Sequence, residues 1–165
     1  MKPDTIKETM RLWESQPEKA KGRPTVKARS EGSQAILEAG SFSWRTDLPP
    51  SLGGNNAAPS PTAMLLAALA GCAVVFIRDT LAPQLGVHVV SVEATAECQS
   101  DSRGLLGMAG VLPDLQGIQL RIVIQSPDSQ EKVQALYRTW RERCPVYLAL
   151  SKPLSVTATL EVKSA

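Results

Sequence analysis

The sequence is short of the residues that announce metals. One histidine, His88, and three cysteines, Cys72, Cys98 and Cys144, are spread over 165 residues with no C-x-x-C pair. A zinc site needs four such ligands at close spacing, so no metal is expected, and no cofactor either. An excess of one charge is also missing: 18 basic against 16 acidic residues leave +2, not the electrostatic footprint of a nucleic-acid binder. The longest uncharged apolar run, residues 63–77, falls short of the roughly 20 residues that span a bilayer and suits a buried core helix instead. Residues 1–13 carry Asp4 and Glu8 and no apolar run, so they lack the basic and hydrophobic regions of a secretory signal, and a cytoplasmic location is expected. Widely spaced cysteines in a reducing compartment are usually small buried hydrophobes, and their presence alone argues no chemistry. The sequence holds no internal repeat and no low-complexity segment.

What is there fits one domain, with 43% apolar and 21% charged residues, enough to bury a core without disulfides. Residues 1–24 divide into a helix and a linker. Ile6, Met10 and Trp13 recur at helical spacing before Pro17, and a basic stretch follows at 19–24. The helix is expected to pack on the domain or on a partner. The remaining residues, 25–165, form the domain proper. Short strand-like runs between 25 and 47, broken by Gly32 and Gly40, predict a meander with its turns at the glycines. Pro49 to Asn56 is dense in breakers and is a loop. Ser60-Pro61 then supplies an N-cap and a first-turn proline, and the helix they open is expected to run to about Thr80. Being apolar on every side, it should be wrapped by other structure, with Cys72 deep inside it.

Alternation over His88, Val90, Val92, Ala94, Ala96 and Cys98 predicts a half-buried strand, as do Ile118, Leu120, Ile122 and Ile124, and again Leu154, Val156, Ala158, Leu160 and Val162. Cys98 and His88 fall on the inward face of the first, Cys98 as a core residue and His88 as packing or a hydrogen-bonding group. Ser126-Pro127-Asp128 is expected to start a second helix, with Val133, Leu136, Tyr137 and Trp140 as its apolar stripe. Lys132, Arg138, Arg141, Glu142 and Arg143 form its solvated face. Pro145 disfavours helical geometry at Cys144, which should lie at a helix break. The order β-β-α-β-β-α-β suggests an α+β fold with sheets around a central helix.

The stretch Ser60-Pro61-Thr62-Ala63-Met64-Leu65-Leu66-Ala67-Ala68-Leu69-Ala70-Gly71-Cys72 resembles the central helix of the OsmC/Ohr family, in which a proline-started apolar helix delivers the first cysteine. Leu52-Gly53-Gly54, Ser102-Arg103-Gly104-Leu105-Leu106-Gly107, Arg143-Cys144-Pro145-Val146-Tyr147 and Lys152-Pro153-Leu154 agree in order and spacing. The resemblance covers roughly residues 25–162. It implies the OsmC-like fold, an intertwined homodimer with two antiparallel sheets around paired central helices, and an active site at the subunit boundary.

It also implies a thiol-dependent peroxidase acting on small hydrophobic hydroperoxides; charge and run length already give the expectation of no nucleic-acid and no membrane partner. Cys72 matches the attacking thiolate, which becomes a sulfenic acid. Cys144 matches the second cysteine, which condenses with it to a disulfide that an external dithiol reduces. In the family an arginine held by a glutamate favours the thiolate. The arginine comes from the N-terminal strands, where Arg29 and Arg45 are available and Arg29, ahead of Ser30-Glu31-Gly32, is preferred. The glutamate positions correspond to Thr62 and Ala63, so another acid, such as Glu31, Glu38 or Asp47, would have to serve. The alternative is a dimer of the same fold that binds a small hydrophobic ligand with little or no peroxidase activity. A third reading, an interaction module, rests only on the N-terminal helix with Trp13.

Overall fold

Two glycines set the first sheet. Gly32 and Gly40 have φ of +60° and +59°, a conformation that costs glycine little and other residues much. They fold β1 (Lys27–Glu31), β2 (Gln34–Ala39) and β3 (Phe42–Thr46) into an antiparallel meander, closed by the pairs Glu31↔Gln34 and Ala39↔Phe42. The computed structural model describes residues 3–164. In it this sheet stands off the rest of the chain as an arm: β1 is exposed along its whole length, and β2 buries only Ile36. The arm is tethered by Thr46, whose Oγ1 donates to the Pro59 carbonyl at 2.6 Å, and by Asn55 Nδ2, which donates to Ser33 Oγ at 2.8 Å.

The connecting loop is organised by the buried carboxylate of Asp47, which accepts the backbone N–H groups of Leu48 (2.8 Å), Asn55 and Ala57 (3.0 Å). Gly54 is required there, because a Cβ would stand 2.0 Å from the Leu48 carbonyl oxygen. Ser60 caps α2 (Pro61–Phe76), accepting the Ala63 N–H at 3.2 Å. This helix passes the expected end near Thr80. It continues through a wide π-helical turn, Ile77–Leu81, into α3 (Ala82–Leu85) and stops at Gly86. Pro61–Leu85 is thus one run of 25 residues, long and apolar enough to cross a membrane by length and composition. The expectation that other structure wraps it fails within one chain. Only Leu69 and Ala73 of α2 are buried, and Val75 is 52% exposed.

One side of the long helix packs on a two-stranded antiparallel sheet, β4 (Ser91–Gln99) and β5 (Gln116–Gln125). The half-buried pairs Val92↔Ile124, Ala94↔Ile122 and Ala96↔Leu120 form its inner face. Cys98 lies half-buried on the same face, where the register shifts between Glu97 and Gln99. A short turn of helix, α4 (Ser102–Leu105), sits in the β4–β5 connection. His88 is a correction: it is exposed and precedes β4, and only its backbone is engaged, its N–H by Asp128 Oδ2 at 2.6 Å and its carbonyl by Ser126 Oγ at 2.5 Å. Those bonds occupy the residues expected to start the next helix. Ser129 therefore caps α5 (Gln130–Arg143) instead. Leu136 and Trp140 of its stripe are buried, and they join Ala73, Ile77, Leu81, Ala82, Val87 and Cys144 in one core cluster. The N-terminal helix α1 (Pro3–Ser15) buries Ile6 and reaches α3, where Gln84 Nε2 donates to Met10 Sδ at 3.5 Å.

After α6 (Pro145–Ser151) the expected last strand is not formed. Residues 153–164 carry no ladder, and Leu154, Val156, Leu160 and Val162 are 63–89% exposed. A strand exists by its partner's hydrogen bonds, and among the described residues no edge supplies them. The outcome is a mixed α+β fold with two small antiparallel sheets. It exposes 12219 Å², where a compact chain of 17.7 kDa exposes about 7,900 Å².

Candidate active site

Cys72 and Cys144 reach one another by different devices. Cys72 is carried by α2, one residue before the fully buried Ala73, and remains half-buried. Cys144 stands at the break between α5 and α6, as the following proline demands, in extended geometry with φ −70° and ψ 113°. Its N–H donates to the Trp140 carbonyl at 2.8 Å, and its carbonyl accepts the Leu148 N–H at 2.9 Å, so both neighbouring helices fix it. The two sulfurs are 3.3 Å apart, with the Cys144 thiol directed at Cys72 Sγ. Both cysteines are free. Cys98, on its strand, takes no part.

Burial pushes the Cys72 thiol up to about 11, and its hydrogen bond with Cys144 and the charge Cys144 can carry add to the rise. The Val146 backbone N–H works the other way. No arginine or lysine among the described residues acts on Cys72. A cation would favour the thiolate, so within one chain the thiolate is suppressed.

The arginines are together elsewhere. On the arm, Glu31 receives Arg45 Nη2 at 2.7 Å on one carboxylate oxygen and Arg29 Nη1 at 3.1 Å on the other. Gln34 Oε1 accepts Arg45 Nη1 at 2.9 Å. The hydrogen bonds from Arg45 and then Arg29 hold the Glu31 carboxyl below its ordinary value. Of the three candidate acids, Glu31 is thus the one that grips arginine, while Asp47 is spent on its loop. These groups are exposed, and such pairs contribute little to stability.

Trp140 shares the core cluster with Cys144, and Cys72 and Tyr147 pack against that cluster. Trp140 is 1% exposed, stacked on Tyr137 with centroids 5.9 Å apart and tilted on Tyr147 at 5.0 Å. Arg141 lies 5.9 Å over the Tyr147 ring and donates from Nε to its hydroxyl at 3.3 Å, so it is more than solvated surface. Trp140, Tyr137 and Tyr147 border a cleft of about 280 Å³, with Leu69, Ile118, Leu120, Leu150 and Ser151 as further walls. Trp140 Nε1 is buried without a hydrogen-bond partner, a state that costs roughly 1–3 kcal/mol. The helical stripe placed Tyr137 and Trp140 in the core, but nothing in the spacing marks an unpaired donor. A larger apolar groove, about 630 Å³, lies between Leu48, Pro61, Leu105 and Leu115. It meets α2 at its first turn, about 15 Å along the axis from Cys72. Among the described residues no cluster of three or more His, Cys, Asp or Glu side chains is placed to hold a metal ion.

Comparison with solved structures finds the same fold. An OsmC-like protein from Mycoplasma pneumoniae superposes with a TM-score of 0.65 at 20% identity, covering 79% of this chain and 88% of that one. An organic hydroperoxide resistance protein from Legionella pneumophila gives 0.58 at 24% identity over 78% and 89%. One from Elizabethkingia anophelis gives 0.59 at 17% over 78% and 88%. No curated protein sequence matches the chain significantly. The profile of the OsmC-like proteins matches residues 53–159, a span that runs from the Gly53-Gly54 loop through both paired cysteines and across well over half of the sequence, and the chain accordingly belongs to the OsmC-like protein family.

Proposed function

We propose that this protein is a thiol-dependent peroxidase that reduces organic hydroperoxides through Cys72 and Cys144, a role in defence against peroxide stress. The carrying observation is the 3.3 Å approach of two free thiols from distant segments. The Legionella and Elizabethkingia neighbours, named as organic hydroperoxide resistance proteins, support the same role. In the first step the Cys72 thiolate attacks the terminal oxygen. An S–O bond forms, the O–O bond breaks, and the departing alkoxide takes a proton to leave as alcohol. In the second, the Cys144 sulfur attacks Cys72, forming the disulfide and expelling water. An external dithiol then restores both thiols by two exchanges and is itself oxidised to a disulfide. A reducing cytoplasm suits this cycle.

The working unit in this reading is a homodimer with the two long helices paired. Three observations support it. The chain exposes about 4,300 Å² more than a compact monomer of its size, far beyond the roughly 800 Å² per partner of an ordinary interface. The apolar helix α2 is covered on one side only. The arm and the tail are both β-like elements without a full set of partners. Pairing also offers the missing cation: Arg29 and Arg45, held by Glu31 in place of an acid at Thr62 or Ala63, would reach Cys72 from the second copy.

The high Cys72 pKa and the lack of an acid at those two positions favour a second reading, a dimer of the same fold that binds a small hydrophobic molecule without reducing it. A dithiol-dependent assay with cumene hydroperoxide and hydrogen peroxide, on wild type, Cys72→Ser and Cys144→Ser, separates the two. Turnover that prefers the organic peroxide and vanishes in the Cys72 variant is expected. Turnover no faster than free dithiol, or intact in Cys72→Ser, would remove the peroxidase reading.

A further inference from the structure

The two sulfurs of the site are not equally open. Cys144 is 0% exposed and belongs to the core cluster, whereas Cys72 is half-buried and only packs against it. The difference follows from the elements that carry them. Cys144 is pinned on both sides, by the Trp140 carbonyl and the Leu148 N–H, so its side chain cannot leave the core without unwinding a helix end. Cys72 stands at the edge of the uncovered side of α2, where its helix-surface neighbours Ala68 and Val75, four residues before it and three after, are both exposed. At 3.3 Å the sulfurs have only about 1.3 Å to close before they bond, so the disulfide keeps one reachable sulfur and one enclosed sulfur.

Thiol–disulfide exchange depends on which sulfur the incoming thiolate can reach and on which thiolate it expels. We propose that the reductant enters at Cys72 alone, so that the mixed disulfide forms on Cys72 and Cys144 is the thiolate expelled. In that exchange a bond forms between the reductant sulfur and Cys72 Sγ, the Cys72–Cys144 bond breaks, and Cys144 leaves with the electron pair and takes up a proton. The second thiolate of the dithiol then attacks its own sulfur in the mixed disulfide and releases Cys72, leaving the reductant as a disulfide. Attack on Cys144 has no open approach. It would also expel the Cys72 thiolate, a poor leaving group because burial holds that thiol at about 11. Pairing of two chains does not invert the asymmetry: a hydroperoxide must still reach Cys72, while Cys144 is closed off by its own chain. The place of this step in a catalytic cycle rests on the peroxidase reading; the choice of sulfur rests on burial.

The test therefore needs no peroxide. The disulfide is prepared in the full-length protein with diamide and exposed briefly to 2-mercaptoethanol, a monothiol that leaves the first mixed disulfide in place. Acid quenching, followed by alkylation of free thiols with N-ethylmaleimide in urea, fixes the products for peptide mass spectrometry. The expected result at the earliest times is a mercaptoethanol adduct on Cys72 with alkylated Cys144, in at least about tenfold excess over the reverse pair. Equal adducts, a majority on Cys144, or failure of the two cysteines to form a disulfide overturns the proposal. An adduct on Cys72 in a protein that turns over no hydroperoxide leaves the entry point standing and removes the peroxidase reading. Turnover with the adduct on Cys144 does the reverse.

Discussion

Cys144 Sγ lies 3.3 Å from Cys72 Sγ although the residues are 72 positions apart in the chain. Closing a loop of that length costs entropy, and the fold meets the cost with the core cluster of Ile77, Leu81, Leu136 and Trp140 that flanks both sulfurs. The approach predicts a specific product. One equivalent of cumene hydroperoxide should link Cys72 to Cys144, read as a single cross-linked peptide pair by mass spectrometry, and leave Cys98 reduced. In Cys144→Ser the cycle should halt at Cys72 sulfenic acid, trapped by dimedone. A cross-link through Cys98 would contradict this geometry.

The Cys72 thiol, held at about 11 by burial first and by Cys144 second, predicts a particular pH response. A folded-state pKa above the unfolded one means that the neutral thiol is favoured by folding. Its contribution to stability is full below the unfolded value, about 8.5, and is lost as pH rises through about 11. In dilute protein the unfolding midpoint should therefore fall over that window, and Cys72→Ser should flatten the decline. Alkylation of Cys72 under the same conditions should be slow at pH 7, with a thiolate fraction of about one in ten thousand.

At higher concentration the second copy's arginines should reverse that suppression. Apparent titration of Cys72, followed by its alkylation rate, should move down by at least about one pH unit as the assembly forms, and Arg45→Gln should cancel most of the shift. Glu31→Gln is the informative partner. Removing a negative charge would by itself ease ionisation of a thiol, whereas releasing Arg45 and Arg29 from the carboxylate that fixes them would hinder it. We expect the second effect, an upward movement, with Glu31→Asp intermediate. A downward movement would show Glu31 acting only as a charge.

Gly54 should tolerate no side chain. Its Cβ would fall 2.0 Å from the Leu48 carbonyl oxygen and 2.6 Å from Asp47 Oδ1, a clash with backbone that no rotamer relieves. Gly54→Ala should destabilise by about 2–3 kcal/mol in urea titration and loosen the amides of Asn55 and Ala57 in hydrogen exchange. Gly22, with open space around it, is the control whose alanine variant should be silent.

Sequence pattern revealed most of the elements because their signals are local. Ser60 and Pro61 mark the start of α2, Gly32 and Gly40 the meander turns, and Pro145 the break at Cys144, each through the conformation of one or two residues. Alternation located β4 and β5 equally well. What the pattern hid depends on partners distant in the chain or outside it. The approach of Cys72 to Cys144 came from family resemblance, since periodicity carries no distance between segments. His88 read as inward because the alternation extends past the strand's real start at Ser91. The start of α5 slipped because Asp128 and Ser126 are drawn to the His88 backbone. The all-apolar α2 reads as wrapped by other structure and the alternating tail as a half-buried strand, and within one chain neither expectation is met.

That last mismatch yields the prediction with the widest consequence. Leu154, Val156, Leu160 and Val162 alternate with Ser155, Thr157, Thr159 and Glu161 and Lys163 nearby, the pattern of a strand with one dry face, yet the large apolar members are 63–89% exposed. The arm offers open edges at β1 and β3, and a strand-patterned segment without a partner, in a chain with a sheet edge without a neighbour, is the condition for addition between chains. If the homodimer forms by this route, sedimentation should give twice 17.7 kDa, and truncation after Lys152 should shift the mass toward the monomer. The Cys72 pH profile of the truncated protein should then return toward the dilute wild-type value, because the cation and the strand leave together. A truncated chain that stays dimeric with unchanged Cys72 reactivity would assign the interface to α2 alone. The Val156→Lys variant distinguishes the cases without deletion: a charge on a dry strand face should weaken the dimer by at least about tenfold, whereas on a solvent-facing tail it should do nothing.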